Sequence, residues 1–200
     1  NLEFIKKLKT ICKKKNILLI FDEIQSGIGR TGKFLAHEFY DVKPDIVTIA
    51  KGIGGGFPIG CCLLTNKLAK VMEVGSHGST FGGNPLGCSV SIAILNEIFK
   101  EDFLINLSKK ALNFKIKLEN LTIEFPQIFD EVRGKGFMLG LKCKIPNKLF
   151  VDEALVNKLI LIPGGDNTIR ILPPINITKK DLNIGFKIIK NVACKLEKKL

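Results

Sequence analysis

Hydrophobic and polar residues alternate along the first half of the chain in patterns that predict helices and short strands in turn. Apolar residues at helical spacing predict helices over residues 2–15, 85–99 and about 103–121. Short apolar runs predict a buried strand at 17–21 and further strands at 45–49 and 59–64. Such alternation is typical of an α/β sheet, whose ligands collect beyond the carboxyl ends of the strands.

Beyond Pro126 the pattern changes to shorter strands and two further helices. The predicted strands cover 130–133, 138–143 and 169–172, and the helices about 152–160 and 179–198. This change predicts a small α+β domain. We therefore expect two domains: residues 1–100, part of a larger α/β domain, and residues 101–200, a small C-terminal α+β domain.

Composition narrows the possible partners. No apolar run approaches the ~18 residues of a membrane helix, and the chain does not begin with a signal-peptide pattern. The net charge is +12, but the lysines are scattered over predicted helices instead of being grouped with aromatic residues. The six cysteines include no C-x-x-C pair and no histidine at metal-ligand spacing. We expect a cytoplasmic protein that binds no nucleic acid, membrane or metal.

The most informative residue is Lys51, which follows an apolar strand and precedes a glycine-rich turn, residues 52–60. Asp22 ends the apolar run 17–21, so both residues should reach the carboxyl edge of one sheet. An amine that condenses with aldehydes and a carboxylate that keeps a pyridine nitrogen protonated suit pyridoxal phosphate. The glycines would let the backbone approach a bound ring closely.

Each of these signals also has a simpler interpretation. A strand ending in Asp22 and Glu23 resembles the magnesium-binding strand of ATPases, but the chain lacks a G-x-x-x-x-G-K-[ST] loop. A lone strand-end aspartate often caps a turn, and a lone lysine is usually a surface residue. The hydroxyls and N–H groups of residues 76–85 precede a predicted helix and could bind phosphate, but they could equally be a helix cap.

Five motifs together resemble the class III, fold type I pyridoxal-phosphate aminotransferases, most closely the acetylornithine aminotransferases of arginine biosynthesis. They are residues 19–32 (LIFDEIQSGIGRTG), 44–56 (PDIVTIAKGIGGG), 77–85 (HGSTFGGNP), 132–140 (VRGKGFMLG) and 165–174 (GDNTIRILPP). They span nearly the whole chain in the order of the family. The family's N-terminal half has no counterpart here, and the chain starts without Met inside a predicted helix. We therefore expect a C-terminal fragment, inactive alone.

The resemblance implies roles around the cofactor. Lys51 would be the lysine that joins pyridoxal phosphate covalently, and Asp22 the partner of the pyridinium nitrogen. Ile24 would pack on the ring and Gln25 would lie near its phenolic oxygen. Glu23 is counted with them among the cofactor-binding residues.

The resemblance also implies contacts to phosphate, substrate and a second subunit. Thr80 would contact the cofactor phosphate across the interface of a homodimer, and Ser79 the substrate. Arg170 would receive the α-carboxylate of glutamate or 2-oxoglutarate, a bidentate task that suits a guanidinium. The implied substrates are N-acetylornithine and 2-oxoglutarate. Alternatives are an aminotransferase for ornithine, 4-aminobutyrate or succinyl-diaminopimelate, or a non-catalytic fragment.

Overall fold

The computed structural model describes residues 2–200, which form two compact units that divide between Leu104 and Ile105. The first contains helices α1 (Leu2–Lys15), α2 (Asn66–Ala69) and α3 (Pro85–Ile98), strands β1 (Ile20–Asp22), β2 (Ile46–Ile49) and β3 (Cys61–Leu64), and 3-10 helices Ala36–Tyr40 and Lys51–Gly54. The second contains α4 (Phe103–Glu124, which begins just before it), α5 (Asn147–Val156), α6 (Lys179–Glu197), β4 (Phe129–Lys135), β5 (Met138–Cys143), β6 (Ile162–Gly164) and β7 (Thr168–Ile171).

The sheet of the first unit has the order β1-β2-β3, with β1 parallel and β3 antiparallel to β2. The prediction of a buried strand at 17–21 was wrong in two respects. Asn16 adopts a left-handed conformation (φ 53°), and the Ile17 amide donates to the Cys12 carbonyl at 2.8 Å, so the chain wraps around the end of α1 before β1 begins. Moreover, β1 is an edge strand of this sheet, and Ile20 is 56% exposed.

Asp45 fixes the start of β1 against the start of β2. One of its carboxylate oxygens, Oδ2, accepts hydrogen bonds from the Leu19 amide at 2.8 Å and from Lys9 Nζ at 3.0 Å. The Asp45 amide returns a bond to the Leu19 carbonyl at 2.8 Å. Beside this clamp, Cys12, Leu19 and Val42 form a small buried core. The clamp therefore sets the alignment of the two strands that end near Asp22 and Lys51.

The second unit is built on an antiparallel sheet of order β4-β5-β7-β6. Alternate residues of β5 and β7 are buried, as the pleat of a half-buried strand requires. One face of α4 is buried at helical spacing, at Leu107, Ala111, Phe114, Leu118 and Leu121. An α/β first unit and an α+β second unit confirm the fold class expected from the sequence.

Two elements of the second unit differ from the sequence predictions. The helix expected at 152–160 is α5, Asn147–Val156, and it ends earlier because Lys158 turns left-handed (φ 63°). The Leu159 amide then closes the helix end by donating to the Ala154 carbonyl at 2.9 Å. The apolar residues after Lys158 lead into β6, a three-residue strand that the sequence pattern did not reveal.

Candidate active site

Asp22 and Lys51 emerge at the same edge of the first unit's sheet. Asp22 is the last residue of β1 and lies opposite Thr48 of β2, while Lys51 follows two residues after the end of β2. Because β1 and β2 are parallel, their carboxyl ends share an edge, as the sequence predicted. Asp22 Oδ1 accepts a hydrogen bond from the Ile24 amide at 3.0 Å and lies 3.5 Å from Thr48 Oγ1. Both Asp22 and Lys51 are exposed.

The backbone of Lys51 is left-handed, with φ 47°, an uncommon conformation for a residue with a side chain. The turn that contains it is held by close packing: a Cβ at Gly52 would lie 3.1 Å from Ile28 Cβ, and one at Gly55 would lie 2.6 Å from Ile94 Cδ1. At these two positions the missing side chain makes room for the protein's own isoleucines, not for a ligand as the sequence had suggested. Strained backbone held by surrounding packing is a common feature of functional sites.

Glu23, the neighbour of the exposed Asp22, is buried among hydrogen-bond donors. Its carboxylate accepts hydrogen bonds from the Ala36 amide, from the His37 amide at 2.9 Å and from His37 Nδ1 at 2.8 Å. The residue is 3% exposed. Its own amide donates to the Thr48 carbonyl at 2.8 Å, and its carbonyl accepts from the Gly27 amide at 3.0 Å. Nothing in the local sequence pattern predicts these partners.

Ile24 and Gln25 follow Asp22 directly in a turn and are half-buried. The loop they open is closed internally, since Thr31 Oγ1 donates to the Ser26 carbonyl at 3.2 Å. A cleft of about 210 Å³ lies beside Asp22 and is also lined by Glu23, Ser26, His37 and Tyr40. Lys51 does not line this cleft. Contacts of Ile24 and Gln25 with a cofactor ring stay a prediction.

Ser79 and Thr80 lie in an exposed turn ahead of α3. Ser79 Oγ accepts a hydrogen bond from the Gly82 amide at 2.9 Å. The cap of α3 is supplied by Asn84, whose side chain accepts from the Gly87 amide at 2.8 Å. The helix cap considered from the sequence is thus present, and it leaves the Thr80 hydroxyl exposed beside it. Binding of phosphate by Thr80 and of substrate by Ser79 stays a prediction.

Arg170 belongs to the second unit, where it is exposed on the outer face of β7. It pairs with Gly140 of β5 on one side and Ile162 of β6 on the other, and it borders a largely apolar cavity of about 340 Å³. Arg133 lies in the same cross-strand row, opposite Gly140. The hydrogen bonds that Arg133 donates, first to Asp166 and then to Glu131, raise its pKa. Arg133 is thus engaged by two carboxylates of its own unit.

No helix within residues 2–200 is long and apolar enough to cross a membrane. Over the same residues, no group of three or more His, Cys, Asp and Glu side chains could hold a metal ion.

The donor set at the edge of the first unit's sheet fits pyridoxal phosphate. Lys51 offers an exposed amine for the aldehyde and Asp22 an exposed carboxylate for the ring nitrogen. An α/β sheet with an amine and a carboxylate beyond its carboxyl edge is the class of site that carries this cofactor.

Comparison with known proteins identifies the family. The profile of the family "Aminotransferase class-III" matches residues 1–193. The chain belongs to the class III aminotransferases, a pyridoxal-phosphate-dependent family.

Three relatives illustrate the match. The acetylornithine aminotransferase of Mesorhizobium japonicum is 48% identical over 93% of this chain and 47% of its own length. The acetylornithine/succinyldiaminopimelate aminotransferase of Buchnera aphidicola is 41% identical over 98% of this chain and 48% of its own. The ornithine delta-aminotransferase structure of Plasmodium falciparum superimposes with a TM-score of 0.91 and 32% identity, covering 100% of this chain and 52% of that one. The chain therefore spans about half the length of these relatives.

Proposed function

We propose that this chain contributes to a pyridoxal-phosphate-dependent transamination of N2-acetylornithine with 2-oxoglutarate, a reaction of arginine biosynthesis. The observation that carries the proposal is the meeting of Lys51 and Asp22 at one sheet edge through the parallel pairing of β1 and β2. The choice of amino donor is supported by the 48% identical relative, which is named for acetylornithine. Residues 1–100 would belong to the family's cofactor domain and 101–200 to its small C-terminal domain.

Within this proposal the two edge residues have separate tasks. When bound, the pyridine ring supplies an electron sink for the substrate carbon that loses its proton. Asp22 holds a proton on the ring nitrogen, because a nearby carboxylate favours the charged form of that nitrogen. Lys51 would hold the cofactor covalently, and its amine, when free, would move a proton between the substrate carbon and cofactor C4′.

Arg170 binds the α-carboxylate of glutamate or 2-oxoglutarate in this proposal, since its planar fork suits a bidentate carboxylate. Ser79 contacts the substrate. Thr80 contacts the phosphate of a cofactor held by the partner subunit of a homodimer. A homodimer and a cytoplasmic location stay predictions. The proposed small-molecule partners are an amino acid and a 2-oxo acid.

Two other amino donors have specific support. The Buchnera relative is named for succinyldiaminopimelate as well as acetylornithine, and the Plasmodium structure for ornithine. The test is to express the product of the complete reading frame and to measure kcat/KM for acetylornithine, succinyl-diaminopimelate, ornithine and 4-aminobutyrate with 2-oxoglutarate. We expect acetylornithine to be preferred to ornithine by at least about tenfold, the scale on which pockets discriminate related substrates.

The same experiment separates an enzyme from a non-catalytic protein. A preference for another donor would reassign the substrate and keep the aminotransferase. A purified product that shows no absorbance of bound pyridoxal phosphate and converts none of the four donors would support the non-catalytic alternative.

A further inference from the structure

We propose that Glu23 is a positioning residue: assisted by His37, it fixes the direction of the Asp22 carboxylate toward the cofactor ring nitrogen and does not touch the ring itself. The proposal rests on the proposed function, because it assumes that Asp22 faces that nitrogen. The role of Glu23 thereby changes from direct contact with the cofactor, as expected from the sequence, to orientation of the neighbouring Asp22.

The two neighbouring carboxylates lie in opposite environments. Asp22 is the last residue of β1, and Glu23 follows it where the chain leaves the strand. Asp22 is exposed at the sheet edge, whereas the Glu23 side chain is 4% exposed. Glu23 Oε1 accepts from the His37 amide and from His37 Nδ1, and Oε2 accepts from the Ala36 amide. Both oxygens of Glu23 are therefore occupied by donors within the protein, whereas the Asp22 side chain is exposed.

Hydrogen bonds restrain the amide, the carbonyl and the side chain of Glu23. The amide is held by the Thr48 carbonyl, the carbonyl by the Gly27 amide, and the side chain by the first turn of the 3-10 helix Ala36–Tyr40. A peptide unit held at these points cannot turn without breaking hydrogen bonds to a buried charge, which are among the stronger ones in proteins.

Restraint at Glu23 is passed to Asp22 through the peptide bond that joins them. The Asp22 carboxylate is further oriented by the Ile24 amide, on the other side of Glu23, at 3.0 Å. Hydrogen bonds weaken steeply when the angle at the proton falls, so a small rotation here would weaken a bond between Asp22 and a ring nitrogen. His37 supplies one of the three donors to Glu23 through its side chain, which makes it a secondary support.

The test compares pyridoxal phosphate with an analogue that has carbon in place of the ring nitrogen. Dissociation constants for both are measured by absorbance titration on the protein made from the complete reading frame. Glu23→Gln keeps the shape but turns one acceptor into an NH₂ donor that faces an N–H group. We expect it to weaken pyridoxal phosphate binding by roughly tenfold, the equivalent of one hydrogen bond to a charged group, and analogue binding by less than about twofold.

Three further variants complete the design. Asp22→Asn should show the same selective loss, at least as large, because it acts directly on the ring nitrogen. His37→Ala keeps both backbone donors to Glu23 and should show a smaller selective loss, of about threefold; it also serves if Glu23→Gln does not fold. Glu38→Gln is the matched control, since Glu38 accepts from the Leu35 amide at 2.7 Å on the same 3-10 helix but is exposed. It should bind both ligands as the unaltered protein does.

Equal weakening of the two ligands by Glu23→Gln, or by His37→Ala where it stands in, would overturn the inference, because a purely structural support affects the whole pocket. An unaltered protein that binds neither ligand would overturn the proposed function and this inference with it. A protein that binds both ligands, but in which Asp22→Asn causes no selective loss, would remove Asp22 from the ring nitrogen and so also end the role of Glu23.

Discussion

Removal of the Asp45 carboxylate should loosen the paired starts of the two strands that lead to Asp22 and Lys51. Asp45 accepts from the Leu19 amide at 2.8 Å and from Lys9 Nζ at 3.0 Å, and the Asp45 and Lys9 side chains are 27% and 30% exposed. A hydrogen bond to a charged group contributes about 1.5–3 kcal/mol, and a partly exposed ion pair about 0.5–1 kcal/mol. The two bonds end on the same carboxylate oxygen and do not add in full, so Asp45→Ala should cost about 2–3 kcal/mol locally.

The assay is amide hydrogen exchange followed by mass spectrometry on a peptide that contains Leu19. When exchange follows the opening equilibrium, a loss of about 2–3 kcal/mol speeds exchange of the Leu19 amide by roughly 30- to 150-fold. Asp45→Asn keeps an acceptor for that amide and should speed its exchange by no more than about tenfold. Lys9→Ala removes the ion pair of about 0.5–1 kcal/mol but keeps the Asp45 carboxylate, so it should speed exchange by about two- to fivefold. Lys7→Ala on the same helix is its control, because Lys7 pairs with Glu3 at a site where both side chains are over 70% exposed.

The clamp should also depend on pH in a defined direction. The hydrogen bond from the Leu19 amide, and then the one from Lys9, lower the pKa of Asp45. A carboxyl whose pKa is lower in the folded protein stabilises the fold above its unfolded pKa of about 3.9 and loses that contribution as the pH falls through the folded pKa. The difference in protection of the Leu19 amide between the unaltered protein and Asp45→Asn should therefore be complete at pH 6 and decrease below about pH 4. Unchanged protection of Leu19 in Asp45→Ala at neutral pH would refute the reasoning.

The remaining predictions concern the proposed chemistry. Lys51→Ala should abolish covalent attachment of pyridoxal phosphate, checked by borohydride reduction and mass spectrometry of the peptide containing residue 51; a labelled peptide elsewhere in the chain would reassign the lysine. Asp22→Asn should lower the rate of the first half-reaction, measured by stopped-flow kinetics, by several orders of magnitude while the fold survives, because the ring becomes a weaker electron sink. An unchanged rate would mean that another group protonates the ring. Arg170→Lys keeps the charge but loses the fork, so the half-reaction with 2-oxoglutarate should slow more than that with acetylornithine, and equal losses would contradict this role.

The joint position of Asp22 and Lys51 could be predicted from sequence because it depends on one general property of sheets. Each residue follows an apolar run, and parallel strands bring their carboxyl ends to one edge, so no side-chain detail was needed. Helices α1 and α3 were placed within a residue or two for a similar reason, since their apolar spacing and the leading Pro85 are local signals. Strand β6 was missed because three residues carry too little periodicity to stand out.

The sequence could not reveal the hydrogen-bonding and packing partners, distant along the chain, that stabilise the edge of the sheet. Asp22 and Glu23 are adjacent carboxylates and look equivalent in the sequence, yet one is exposed and the other is enclosed by donors 13 and 14 residues away. Similarly, the glycines after Lys51 suggested room for a ligand, while two of them receive Ile28 and Ile94. Ile28 belongs to the loop that follows Glu23, so this loop and the turn that contains Lys51 are packed against each other. A substitution in either segment should therefore alter the conformation of the other, and local sequence patterns cannot reveal this coupling.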